Sequence, residues 1–177
     1  MARRSREPGR HPLLLPDDIL PTIDALNGML RDKALASSQR SRALRLSDAL
    51  FDATGHLIVY GSLSPGGSNH ARLAHLDGTW SPGVVTGDLI PHGWGASLGY
   101  PAMQWRSDGP RVPAWLLRAP GLAAEGEWEA LDQFEGEEYC RILAPFLSLH
   151  GEIVAVGYLY EALSPKLDEP GDCSRAS

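Results

Sequence analysis

The sequence predicts an α+β fold: a small mixed β-barrel with peripheral helices, preceded by an N-terminal helical extension. Three observations predict it. From Leu57 onward, short β-type runs are separated by Gly and Pro. A single helical segment, Leu122–Phe134, interrupts those runs. Ahead of them, residues 17–50 carry a helical pattern. Several short strands with few helices are best accommodated by a curled sheet with the helices packed outside it.

Taken in order, residues 1–16 are rich in Arg and Pro and are expected to form a disordered basic tail. Ile19, Ile23, Leu26 and Leu30 recur at helical spacing, and Leu35, Ala43, Leu46 and Leu50 continue less regularly. Pro21 falls in the first turn, where proline is tolerated. Asn27-Gly28 is a weak point, so residues 17–55 should hold two helices or one interrupted helix, ending at the Thr54-Gly55 turn. Strands are expected at Leu57–Tyr60, Gly83–Ile90, Ser97–Trp105, Val112–Arg118, Tyr139–Leu149 and Ile153–Glu161. His150-Gly151-Glu152 makes a hairpin turn between the last two. In Leu122–Phe134, Trp128, Leu131 and Phe134 share one face, Glu125, Glu127 and Glu129 face mainly outward, and Gly136 follows as a C-terminal cap. The main domain is placed at 56–163 and a mobile tail at 164–177.

Composition narrows the function classes. Residues 1–50 hold nine Lys and Arg against six Asp and Glu, whereas the remainder holds seven against sixteen. An acidic main domain argues against nucleic-acid binding, which needs clustered basic residues. No apolar run approaches the roughly 18–20 residues of a membrane helix, and Leu13-Leu14-Leu15 is too short for a signal-peptide core. Cys140 and Cys173 share no metal-type spacing, so a reduced cytoplasmic chain is expected. His70 and His75 are five apart with no zincin-type Glu, which favours structural or surface roles. Trp80, Trp94, Trp105 and Trp115 read as packing residues.

The stretch with most chemical content is Val59-Tyr60-Gly61-Ser62-Leu63-Ser64-Pro65-Gly66-Gly67. Here an apolar strand ends in a small-residue loop, and a short polar helix is expected from about Ser68 to Leu76. Such a turn gathers backbone N–H groups where an anion can sit. It lacks the Gly-Lys-Ser/Thr ending of a phosphate loop and the Gly-x-Ser-x-Gly elbow of a serine hydrolase. Downstream come Leu131-Asp132-Gln133-Phe134-Glu135-Gly136 and then Tyr139-Cys140-Arg141.

The order and spacing of these three motifs resemble the gamma-glutamylcyclotransferase-like family, including its AIG2-like and gamma-glutamylamine cyclotransferase branches. The resemblance runs from about Leu57 to Leu163, and Gly66-Gly67-Ser68-Asn69-His70 is similar to bacterial members. It implies that Tyr60, Gly61, Ser62 and Leu63 bind the glutamyl end of a small-molecule γ-glutamyl substrate through backbone N–H groups. It also implies that Glu135 is the catalytic acid/base. The reaction implied is attack of the substrate's α-amine on its own γ-carbonyl, giving 5-oxoproline and a free amine or amino acid, with neither cofactor nor metal.

The residue types suit that chemistry. Intramolecular cyclisation needs no protein nucleophile, only a base for the α-ammonium and an acid for the leaving amine. One carboxyl can do both if its pKa is raised by partial burial, helped by the negative end of a helix dipole. Tyr139 and Tyr160 are candidates for pocket or barrel positions alike, and Arg141 for a structural salt bridge. The alternative reading is a non-catalytic member of the same fold that binds a small carboxylate or a protein. Oligomeric state, the identity of the leaving group and the role of residues 1–50 are open at this stage.

Overall fold

The computed structural model describes residues 18–91 and 99–163. The expectations for residues 1–16 and 164–177, and for Trp94 and Cys173, lie outside the described residues. Six strands follow two N-terminal helices: β1 (His56–Val59), β2 (Thr79–Ile90), β3 (Ala102–Trp105), β4 (Arg111–Arg118), β5 (Tyr139–Leu147) and β6 (Ile153–Ala162). Their order is β3-β2-β4-β1-β6-β5, and a β2–β5 pairing at Val84 and Leu147 closes five of them into a barrel. β3 is the extra strand, antiparallel to β2. The described pairs are antiparallel except β1 with β6, which makes the barrel mixed. This is the α+β barrel that the sequence predicts.

β1 shows why a four-residue strand suffices. Leu57, Ile58 and Val59 are all buried, as expected for a strand flanked by β4 on one side and β6 on the other. β2 begins at Thr79, four residues before the expected Gly83, and it includes Pro82. Pro82 lies opposite Trp115 of β4, in a part of the strand where its missing N–H is tolerated. Of the strand expected at Ser97–Trp105, Ser97 and Leu98 lie outside the described residues; β3 starts at Ala102, and Gly99 adopts φ 83 in a turn.

Three α-helices pack outside the barrel: α1 (Ile19–Arg31), α2 (Ser37–Phe51) and α3 (Glu127–Glu135). The expected helix Leu122–Phe134 is split. A 3-10 turn at Pro120–Ala123 comes first, and Gly126 at φ 84 starts α3 afresh. The short polar helix expected at Ser68–Leu76 is only a 3-10 turn, His70–Leu73.

The interruption between the first two helices is not at Asn27-Gly28, as expected, but at residues 32–36. Asn27 stays helical because its side chain has a partner far along the chain. Its Nδ2 donates to the Leu143 carbonyl at 2.8 Å, and its Oδ1 accepts the Leu143 N–H at 2.8 Å. A side-chain amide thus completes both backbone bonds on the outer edge of β5, a direct answer to an exposed strand edge. Ile23, Leu26 and Leu30 flank it, so α1 contributes to the same continuous core as Leu57, Leu116, Ile142 and Leu159. At the end of α1, Arg31 binds both carboxylate oxygens of the buried Glu161 on β6, which also accepts the Trp105 N–H at 3.2 Å. Asn27→Ala should therefore leave a buried N–H and a buried carbonyl without partners, costing about 2–4 kcal/mol of stability. Urea unfolding monitored by circular dichroism checks this, and a loss under about 1 kcal/mol would contradict it.

Candidate active site

The chain leaves β1 through Tyr60 and enters a loop whose own hydrogen bonds set its shape. Ser64 N–H donates to the Gly61 carbonyl at 3.0 Å, and Gly67 N–H to the Ser64 carbonyl at 2.7 Å. Asn69 clamps Ser62 twice, backbone N–H to carbonyl at 2.9 Å and Nδ2 to Oγ at 3.0 Å. His70 completes the loop by bonding the Leu63 carbonyl through Nδ1 at 3.1 Å. His75 pairs with Glu127 at 2.9 Å, so both histidines have structural partners. Gly67 is required for space. A Cβ there would overlap the Ser62 carbonyl and lie 3.0 Å from the Ser64 oxygen. Gly61 has ordinary space around it, with a Cβ position 3.9 Å from Tyr100, so its bare backbone keeps that side of the loop open.

While the loop's carbonyls are engaged, the N–H groups of Gly61, Ser62 and Leu63 donate to nothing among the described residues. Unpaired amides clustered in one turn are anion-binding donors. They line a narrow cleft of about 50 Å³, whose other walls are Tyr100, Pro101, Glu135, Tyr139 and Tyr160. The structure thus brings Tyr60, Gly61, Ser62, Leu63 and Glu135 to one cleft.

Glu135 is the last residue of α3, and Gly136 closes that helix at φ 78 with its N–H on the Asp132 carbonyl at 3.0 Å. Asp132 anchors the same turn from its side chain. One carboxylate oxygen accepts the Tyr160 hydroxyl at 2.6 Å, and the other faces Arg141 Nη2 at 3.1 Å. Arg141 in turn lies over Trp128, 4.6 Å from its ring centre, and over Tyr158 at 5.2 Å. Arg141 is therefore a structural brace, and the Asp three residues before Glu135 holds the helix end against β5 and β6. Arg72, from the loop side, stacks 4.0 Å over Phe134. The Glu135 side chain makes no hydrogen bond or ion pair among the described residues. Burial pushes its carboxyl up to about 7, in the direction expected when a charge loses water without gaining a partner.

Sequence reasoning left open where the tyrosines lie, and the structure answers through hydroxyl geometry. Tyr60 Oη donates to the Tyr160 carbonyl at 2.9 Å and accepts the Met103 N–H at 3.1 Å, tying the loop to β6 and β3. Burial raises the pKa of Tyr60, Tyr139 and Tyr160, so all three hydroxyls are neutral in the physiological range. Tyr100 and Pro101 carried no signal in a single sequence, because the turn that presents them is defined only by β3 pairing with β2. Among the described residues, no group of three or more His, Cys, Asp or Glu side chains could hold a metal ion. No helix there is long and apolar enough to cross a membrane.

The Gly61–Leu63 loop and the Glu135 carboxyl thus line one cleft, a concave place with convergent polar groups. The family model described as Gamma-glutamyl cyclotransferase, AIG2-like matches residues 57–174, and the chain belongs to that family. No curated protein matches the chain. Among solved structures, an AIG2-like protein from Mus musculus is similar at 20% identity and a TM-score of 0.46, over 62% of this chain and 77% of that one.

Proposed function

We propose that this protein is a γ-glutamyl cyclotransferase in which the substrate closes on itself to give 5-oxoproline. The reading rests above all on one observation: Glu135, its carboxyl raised to about 7, shares a cleft with the free amides of Gly61, Ser62 and Leu63. The loop amides hold the substrate's α-carboxylate, and fixing that end sets the α-amine against the γ-carbonyl carbon. Glu135 takes a proton from the α-ammonium. The freed amine attacks the carbonyl, and the new C–N bond forms the five-membered lactam. The bond to the departing nitrogen then breaks as Glu135 returns the proton to it. When the departing group is released as an ammonium ion, two protons leave the α-nitrogen and two arrive at the leaving nitrogen, so charge balances. Tyr139, neutral beside Glu135, offers a hydroxyl to the carbonyl oxygen as it gains charge.

The base must be unprotonated in the free enzyme. As pH falls below about 7, kcat/KM should drop with Glu135 protonation, approaching tenfold per pH unit. A pH–rate profile from 5 to 8 tests this. An acid limb near 4.5, the ordinary value for Glu, would show that the group acting there is not Glu135 in its half-buried place.

A further inference from the structure

The narrow cleft shares Tyr60, Gly61 and Tyr100 as walls with a wider groove of about 550 Å³. Its other walls are the loop at 64–67, Pro82 of β2, Pro113 and Trp115 of β4, and Leu149 of the β5–β6 turn. The register of β2 on β4 sets Pro82 opposite Trp115 and Val84 opposite Pro113, which builds a continuous apolar strip with two residues that have no N–H to offer. Leu149 is 66% exposed, so its apolar side chain is available at the rim of the groove. None of the described residues lining the groove carries a charge.

Building on the cyclotransferase reading, we propose that this groove receives the chain of the departing amine and selects one that is uncharged and apolar beyond the reacting nitrogen. The argument is geometric and electrostatic. If the glutamyl end fills the cleft between the loop amides and Glu135, the group on the far side of the γ-amide has the adjoining groove, beyond the shared walls Tyr60, Gly61 and Tyr100, as its nearest space. That space offers an indole, a leucine and three prolines, which favour alkyl or arylalkyl chains. A leaving group with a free carboxylate or a polyamine chain would lose water there and find no opposite charge. The substrate class is therefore a γ-glutamyl amide of an apolar amine, or of a hydrophobic residue whose carboxyl is blocked.

The test is a series of γ-glutamyl amides of phenethylamine, methylamine, glycine and spermidine, followed by 5-oxoproline release. In parallel, calorimetric binding of the same compounds to Glu135→Gln protein is measured. The phenethylamide should exceed the glycine and spermidine compounds by about tenfold or more in kcat/KM. Trp115→Ala should cut the phenethylamide-to-methylamide ratio by about tenfold. Leu149→Lys, at an exposed position where folding is not at issue, should shift preference toward the glycine compound. Turnover with no preference among the leaving groups, or a preference that Trp115→Ala and Leu149→Lys leave untouched, overturns the assignment of the groove but not the cyclotransferase reading. Absence of turnover with tighter, Trp115-dependent binding of the phenethylamide upholds the groove's selectivity and overturns the reading. Neither turnover nor selective binding overturns both.

Discussion

Glu135→Gln should lower 5-oxoproline formation by about 10²–10⁴-fold while leaving the barrel folded. The amide keeps the shape of the side chain but can neither accept the α-ammonium proton nor return one to the leaving amine. The same variant should be more stable than wild type at alkaline pH. Because burial raises the Glu135 carboxyl from 4.5 to about 7, the folded state holds its proton through that window whereas the unfolded state has lost it. Stability attributable to this group is thus fully present below pH 4.5 and declines as pH rises to about 7. Above that, a charged, partner-less carboxylate is carried at a cost of about 1–3 kcal/mol. Gln carries no such cost, so the variant's advantage should appear at pH 8 and vanish near pH 4.5. Thermal unfolding at those two pH values measures it. Loss of activity together with equal stability at both would place Glu135 in solvent rather than in the cleft.

Gly67→Ala should reduce kcat/KM by about 10–100-fold without touching an acid or a base. The added methyl would overlap the Ser62 carbonyl, which Asn69 N–H holds at 2.9 Å, and would crowd the Ser64 carbonyl that Gly67's own N–H meets at 2.7 Å. Neither oxygen can retreat without breaking a bond that shapes the loop, so the strain passes to the amides of Ser62 and Leu63. Gly66→Ala provides the comparison. Gly66 sits at φ 83 with nothing within 4 Å of a Cβ position, so the change costs only backbone strain, about 1–2 kcal/mol. Kinetics on the pair separate the two effects. Equal losses for both would mean that general loop strain, not the Ser62 carbonyl, governs binding.

Much of this architecture was legible because local pattern and tertiary role agree. Ile23, Leu26 and Leu30 recur at helical spacing and are buried, and the Leu57-Ile58-Val59 run is the central strand its continuous apolarity suggests. Where they disagree, the sequence misleads. Asn is a poor helix interior residue, yet Asn27 is held in place by backbone groups on β5, a partner invisible at its sequence distance. Pro82 looks like a strand boundary and instead lies within β2. The motif residues Tyr60–Leu63 and Glu135 could be named in advance through the resemblance of their motifs to a family pattern, and the structure brings them to one cleft. Tyr100, Pro101 and the apolar groove could not, because they meet only through the β2–β3 and β2–β4 pairings. The position of Asp132 explains why its motif includes an acid at that spacing: it braces the α3 end through Tyr160 and Arg141, and Glu135 is positioned as a consequence.

Incubation of the wild-type protein with a panel of γ-glutamyl amino acids and amines, with 5-oxoproline and glutamate both quantified, tests the central claim most directly. Intramolecular cyclisation predicts that 5-oxoproline appears in step with the released amine, with no glutamate formed. Glutamate in place of 5-oxoproline would mean that water, not the substrate's own amine, attacks the γ-carbonyl, and release of neither across the panel would contradict the cyclotransferase account altogether.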